Sequence, residues 1–237
     1  MSQFQSLLHL LPFIRVMLIF LFQGTKALTG WQETKKEKSL VKVKMTRGKS
    51  VHIKHSQPYS SHTPELRMMV FASLFAALTA AGAYIQIPMP FSPVPVTLQV
   101  FFVLLAGSIL KSKWGSLSMI VYTLLGIAGL PVFAGGSSGI GVLLGPTGGY
   151  IVGFILAAYV IGKLSEKTEN AAKSSLIINA LNMSLGVLII YACGISQLML
   201  AAKIGPGAAL TLGVIPFLPG EIIKTAIAAY IASTHEL

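Results

Sequence analysis

Six apolar segments, joined by short connections that alternate between cationic and neutral, constrain this chain more than any other feature. They cover residues 68–87, 94–110, 114–130, 150–164, 175–193 and 207–232. A helix rises ~1.5 Å per residue, so about 20 residues cross the ~30 Å hydrocarbon core of a bilayer. The second and fourth segments are short, and flanking residues such as Ser112 and Gly148 must extend them. Charged residues make up only 11% of the chain, against about 25% in a soluble domain. The expected fold class is an all-α membrane protein, a six-transmembrane-helix bundle.

The connections support an even number of crossings. With Arg67 and the basic N-terminal arm in the cytoplasm, the second-to-third connection falls inside with Lys111 and Lys113. The fourth-to-fifth does the same with Lys163, Lys167 and Lys173. On the other side, "PMPFSPVP" and "PVFAGGSSGIGVLLGPTGG" carry no charge, and the last connection has only Lys203. Short cationic loops stay cytoplasmic, so both termini are expected inside and the chain in the plasma membrane as a multi-pass protein. Irregular Gly- and Pro-rich backbone at membrane depth is tolerated only where protein buries it or it lines a cavity. The neutral, outside face is therefore the expected solute-facing one.

A net charge of +11 would suit nucleic acid, but its distribution does not. Residues 1–67 hold 11 of the 18 Lys and Arg. A basic segment beside apolar spans orients the protein or touches anionic lipid, so the bilayer, not nucleic acid, is the expected partner. Residues 1–63 read as a flexible extension, and 64–237 as the membrane domain. Within the extension, "LLHLLPFIRVMLIFLF" (7–22) is interrupted by His9, Pro12 and Arg15 and suits a signal-like or interfacial anchor better than a span. A start at Met45, Met68 or Met69 is the alternative. His52 and His55 lack further ligands and read as a solvated polar stretch, so no metal is expected. Cys193 stands alone, which leaves no disulfide.

Several motifs carry chemistry. Ala72, Ala76 and Ala80 recur every four residues, with Ser73, Ala77 and Ala81 beside them. Such a stripe lets another helix approach closely, either within the bundle or from a separate membrane subunit. Gln99 follows "PFSPVPVTL" near the outer end of a short span and should face protein or a cavity rather than lipid. Residues 129–150, "GLPVFAGGSSGIGVLLGPTGGY", hold eight Gly and two Pro. They read as a re-entrant cap whose backbone N–H groups, with Thr147 and Tyr150, approach a small ligand. The same stretch contains Gly136-Ser137-Ser138-Gly139, a serine-hydrolase-like string, but the only histidine after it is His235, at the cytoplasmic end. "GPTGG" lacks the lysine of a phosphate-binding loop. Asn179 and Asn182 share a helix face, as inter-helix glue or as a polar contact. In "PFLPGEIIK", Pro219-Gly220 breaks or starts a helix that Glu221 opens, with Lys224 one turn on. Each charge costs about 2.5–3.5 kcal/mol near the bilayer centre, more than the ~0.3–1 kcal/mol an acid gains at a helix N-terminus. An internal ion pair is one reading, and a ligand site the other.

Taken together, "PVPVTLQVFFVLLAG", "GLPVFAGG…LLGPTGGY" and "PFLPGEIIK", in this order, resemble the BioY family, the biotin-binding S components of energy-coupling factor (ECF) transporters. The resemblance covers about residues 64–237. It implies six helices, capture of biotin from outside, and partnership with a transmembrane T component and two ABC-type ATPases. It implies no enzyme activity and no cofactor in this chain, which has no Walker motif of its own. Glu221 and Lys224 match the family's acid and lysine, although the acid is commonly Asp, so the arm here is one methylene longer. Gln99, Asn182, Thr147 and Tyr150 are then candidate polar partners of biotin, with Phe133 packing on its ring and Gly136 in the closing loop. The Ala72, Ala76, Ala80 stripe is the candidate docking face for the T component. Which end of biotin meets Lys224, and whether the chain self-associates, stay open. The alternatives are an S component for another vitamin, an intramembrane hydrolase using Ser138, and a ligand-free membrane scaffold.

Overall fold

Residue 111 decides the topology. In the computed structural model, residues 63–170 and 175–234 are described. The extension 1–62, with 7–22, His52 and His55, lies outside the described residues, as do Lys173 and His235. Five helical stretches are long and apolar enough to cross a membrane: Glu65–Tyr84, Gln99–Ile127, Gly148–Thr168, Leu176–Ala202 and Pro206–Thr234. The second of these is two helices. Lys111 has φ 64° and ψ −175°, which no helix accommodates. Gln99 donates through Nε2 to the Tyr122 hydroxyl. Along a straight helix residues 23 apart would be separated by about 34 Å. A side chain at Gly115 would come within 2.9 Å of the Ala106 carbonyl oxygen. Limbs 99–110 and 112–127 therefore run antiparallel, and among the described residues the five stretches give the six long helical segments expected from the apolar pattern.

The elements in chain order are α1 (Thr63–Tyr84), β1 (Gln86–Ile87), β2 (Val96–Thr97), α2 (Gln99–Ile127, both limbs), a 3-10 turn (Ala134–Gly136) and α3 (Ile140–Leu144). Then follow α4 (Gly148–Asn170), α5 (Leu176–Ala202), α6 (Pro206–Gly213), a second 3-10 turn (Ile215–Phe217) and α7 (Leu218–Thr234). Both limbs of α2 sit centrally, packed on α1 and α4. Helix α5 covers α4, and α7 closes against α5 and α2. Large side chains such as Leu181, Leu188, Leu200, Ile222 and Tyr230 are exposed on α5 and α7, as lipid-facing helix surfaces require.

The reversal at Lys111 is held from α4. Glu166 Oε1 accepts from the Ser112 amide at 3.0 Å and from Ser112 Oγ at 2.6 Å. A carboxylate at the N-terminus of the second limb satisfies donors that the helix cannot. Gly162 lets α4 lie directly on this turn, because a Cβ there would sit 2.5 Å from Ser112 Cα.

The connection "PMPFSPVP" bridges a two-stranded antiparallel ribbon pairing Gln86 with Thr97 and Ile87 with Val96. Several expectations are corrected. The fourth and fifth segments extend to Asn170 and Ala202, well beyond 164 and 193. The last segment breaks at Val214 (φ −131°, ψ −58°), ahead of Pro219-Gly220. Pro219 and Gly220 lie in the first turn of α7, so they start that helix rather than break one, and a proline lacking its N–H costs no hydrogen bond there. Finally, Ala72 and Ala76 are buried within the bundle. Ala72 offers its carbonyl to Ser118 Oγ at 2.6 Å, so limb 112–127 already occupies that edge of α1. Of the two readings of the stripe, packing within the bundle is the one these two side chains take here. Ala80 is half-buried, and the exposed small residues of α1 are Ser73 and Ala77.

Candidate solute-binding cavity

At one end of the bundle the β1–β2 ribbon, the Gly-rich connection and the start of α7 enclose a cavity. Its walls come from residues far apart in sequence: Val94, Thr97, Gln99, Phe133, Thr147, Tyr150, Phe154, Tyr191, Phe217 and Glu221 among them. Helical spacing explains much of the set. Thr147, Tyr150, Ile151 and Phe154 form one face leading into and along α4, and Val187, Ile190 and Tyr191 one face of α5.

One end of the cavity is polar. Glu221 is 5% exposed. Its Oε1 accepts from the Lys224 ammonium, and Lys224 Nζ also donates to the Thr97 carbonyl at 2.9 Å. Among the described residues Glu221 Oε2 has no partner, nor does the buried hydroxyl of Tyr191, which lines the same cavity. Gln99, 4% exposed, donates one amide N–H to Tyr122. Buried polar atoms without partners are uncommon in folded chains, and here an acceptor and a hydroxyl share one cavity.

The rest is apolar. Phe133 is fully buried, edge-on to Tyr122 with ring centroids 5.6 Å apart. Its ring lies on Gly126, where a Cβ would come 2.5 Å from Cε2. Tyr150 presents its ring to the cavity while its hydroxyl donates to the Gly213 carbonyl at 2.9 Å. That hydroxyl is thereby committed to holding α6. Both neutral connections are tied down. Gln197 donates to the carbonyls of Leu143 and, at 2.9 Å, Gly145. Tyr84 donates to the Pro131 carbonyl at 2.5 Å, and Ser92 to the Leu212 carbonyl at 2.8 Å.

Of the sequence candidates, Glu221, Gln99, Thr147, Tyr150 and Phe133 meet in this cavity. Lys224 stands behind Glu221 rather than in the wall. Asn182 does not line it: nine residues before Tyr191 is two and a half turns, on the opposite side of α5. Its Nδ2 is buried without a partner elsewhere in the bundle. Gly136 lies under Tyr84, outside the wall. The glycines of "GPTGG" serve packing: a Cβ on Gly149 would come 2.7 Å from Gln197 Cβ and 3.0 Å from the Cys193 carbonyl carbon. Ser138 is exposed and is not among the lining residues. Sequence reasoning missed Tyr191. Its one signal, a hydroxyl inside an apolar run, does not say which face it occupies.

A helical membrane bundle with a largely apolar cavity, closed by loops and charged at one end, defines a small-solute-binding membrane protein. A family model described as the BioY family matches residues 51–236. The biotin transporter BioY of Thermotoga maritima is 44% identical over 167 residues, spanning 70% of this chain and 94% of that protein. The probable biotin transporter BioY of Pyrococcus horikoshii is 45% identical over 160 residues, 68% and 90% respectively. A crystal structure of the S-component for biotin from an ECF-type ABC transporter superposes with a TM-score of 0.69 at 25% identity, covering 74% of this chain and 93% of that one. The chain belongs to the BioY family.

Proposed function

We propose that this protein is the biotin-capturing S component of an ECF-type uptake transporter in the plasma membrane. The observation that carries this reading is the polar part of the cavity, where Glu221 Oε2 and the Tyr191 hydroxyl are unpartnered among the described residues and Gln99 belongs to the same wall. The ureido ring of biotin has two N–H donors and one carbonyl acceptor, which complement two acceptors and a hydroxyl donor. The carboxylate of biotin would meet like charge at Glu221, and Lys224 is already engaged by Glu221 and Thr97. The ureido ring therefore goes to Glu221, and the carboxylate to Thr147, which precedes the N-terminus of the 23-residue α4. Such a helix end favours an anion. Phe133, Phe154 and Phe217 pack on the bicycle.

The loop charges support a cavity that opens outward, with both termini in the cytoplasm. Biotin enters from outside, and a T component with two ATPases supplies the energy for delivery inward. The experiment is a titration of the purified full-length protein in detergent with biotin, riboflavin and thiamine. A nanomolar-range response to biotin alone is expected. Equal or tighter binding of another vitamin overturns the assignment.

A further inference from the structure

We propose that Tyr122, which does not line the cavity, sets the specificity of the site by holding the Gln99 amide with its carbonyl oxygen toward the ligand. The inference rests on the biotin reading above.

The argument is one of donor counting. Tyr122 is fully buried, and its hydroxyl has a single proton. That proton goes to the Val132 carbonyl, 3.1 Å away, which can only accept. The hydroxyl can then meet Gln99 only as an acceptor, so the NH₂ face of the amide is the one turned toward it. Gln99 Oε1 is left facing the other way, and the residue lines the cavity. A free glutamine offers a donor as readily as an acceptor. One relayed to a backbone carbonyl through a tyrosine keeps its NH₂ turned to Tyr122 and its carbonyl oxygen turned away from it. The position then reads an N–H on the ligand and rejects an oxygen, because two facing acceptors leave a buried polar group unpaired.

The same hydroxyl ties this reading to the cover of the site. Val132 precedes Phe133, whose ring walls the cavity and stands edge-on to the Tyr122 ring. Tyr122 is thus a positioning residue that acts through Gln99.

The test uses full-length protein and three ligands: biotin and the two cyclic carbamates in which one or the other ureido N–H is replaced by oxygen. The unaltered protein should bind the carbamate with its oxygen at Gln99 at least about tenfold more weakly than biotin, and discriminate against the other through Glu221. In Tyr122→Phe the first preference should fall to within about threefold, because the released amide turns its NH₂ to the ring oxygen, while the second is kept. Adding Tyr122→Phe to Gln99→Ala should change neither ratio further. Should Tyr122→Phe not be recovered folded, Gln99→Ala alone must lose the first preference and keep the second. Retention of the first preference in Tyr122→Phe, loss of both by one common factor, or an undiminished Tyr122→Phe effect on Gln99→Ala overturns the proposal. If the unaltered protein does not bind biotin, the function proposed above falls, and this inference with it.

Discussion

Lys224 Nζ donates to the carbonyl of Thr97, 2.9 Å away across 127 residues of sequence. The same ammonium holds Glu221. One cation thus joins the first turns of α7 to the ribbon that roofs the cavity. Removing one partner of a buried pair strands the other charge, typically at about 3–5 kcal/mol, whereas removing both is far cheaper. Lys224→Met should therefore lower the thermal midpoint strongly, and Glu221→Gln with Lys224→Met should recover much of the loss. Biotin binding should fail in both. A double variant less stable than Lys224→Met, in thermal scans of detergent-solubilised protein, would contradict this account of the pair.

Stability and binding should move apart at Tyr191. Its buried hydroxyl has no partner among the described residues, so Tyr191→Phe removes an unsatisfied group and should leave the thermal midpoint unchanged or raise it. A hydrogen bond to ligand is worth about 0.5–1.5 kcal/mol, and biotin affinity should fall about three- to tenfold by isothermal titration. Unchanged affinity would remove Tyr191 from the site.

Gln197 contacts no ligand-facing surface yet binds two carbonyls of the Gly-rich connection, those of Leu143 and Gly145. Gln197→Leu leaves both acceptors without this donor. The expected outcome is faster biotin release, measured by chase with unlabelled ligand, together with quicker amide exchange over residues 139–147. Release at the original rate would show that this latch does not hold the cover.

Gly162 faces backbone rather than a movable side chain, with a Cβ there 2.4 Å from the Lys111 carbonyl carbon. Gly162→Ala should push α4 off the Lys111 reversal and cost about 1–3 kcal/mol, the usual penalty for overpacking. Gly141 has nothing within 4 Å of its Cβ position, so Gly141→Ala is the matched control and should melt with the unaltered protein.

Much of the fold is legible in the sequence because the bilayer leaves few choices. Apolar length specified the helices, and the charges at Lys111 and Lys113 marked the reversal between the two limbs of Gln99–Ile127. Glu221 was legible as a candidate because a buried carboxylate has few reasons to persist in a membrane helix, and it lines the cavity. The stripe at Ala72 and Ala76 was not legible, since small residues invite any helix and only the packing shows that limb 112–127 takes the place.

Asn182 and Tyr191 mark the boundary most sharply. Each is a polar residue in the same apolar helix, and composition gives no reason to prefer one. The sequence by itself determined how many helices there are, that the neutral loops gather opposite the cationic ones, and that Glu221 and Lys224 share a helix face. Only the tertiary structure decided which side of α5 meets the cavity, and it chose Tyr191. The reason is physical: helical period relates residues within one helix, but the rotation of that helix about its axis is settled by packing against α4, through contacts such as Gly153 on Ile190 and Gly149 on Cys193, that no local pattern encodes.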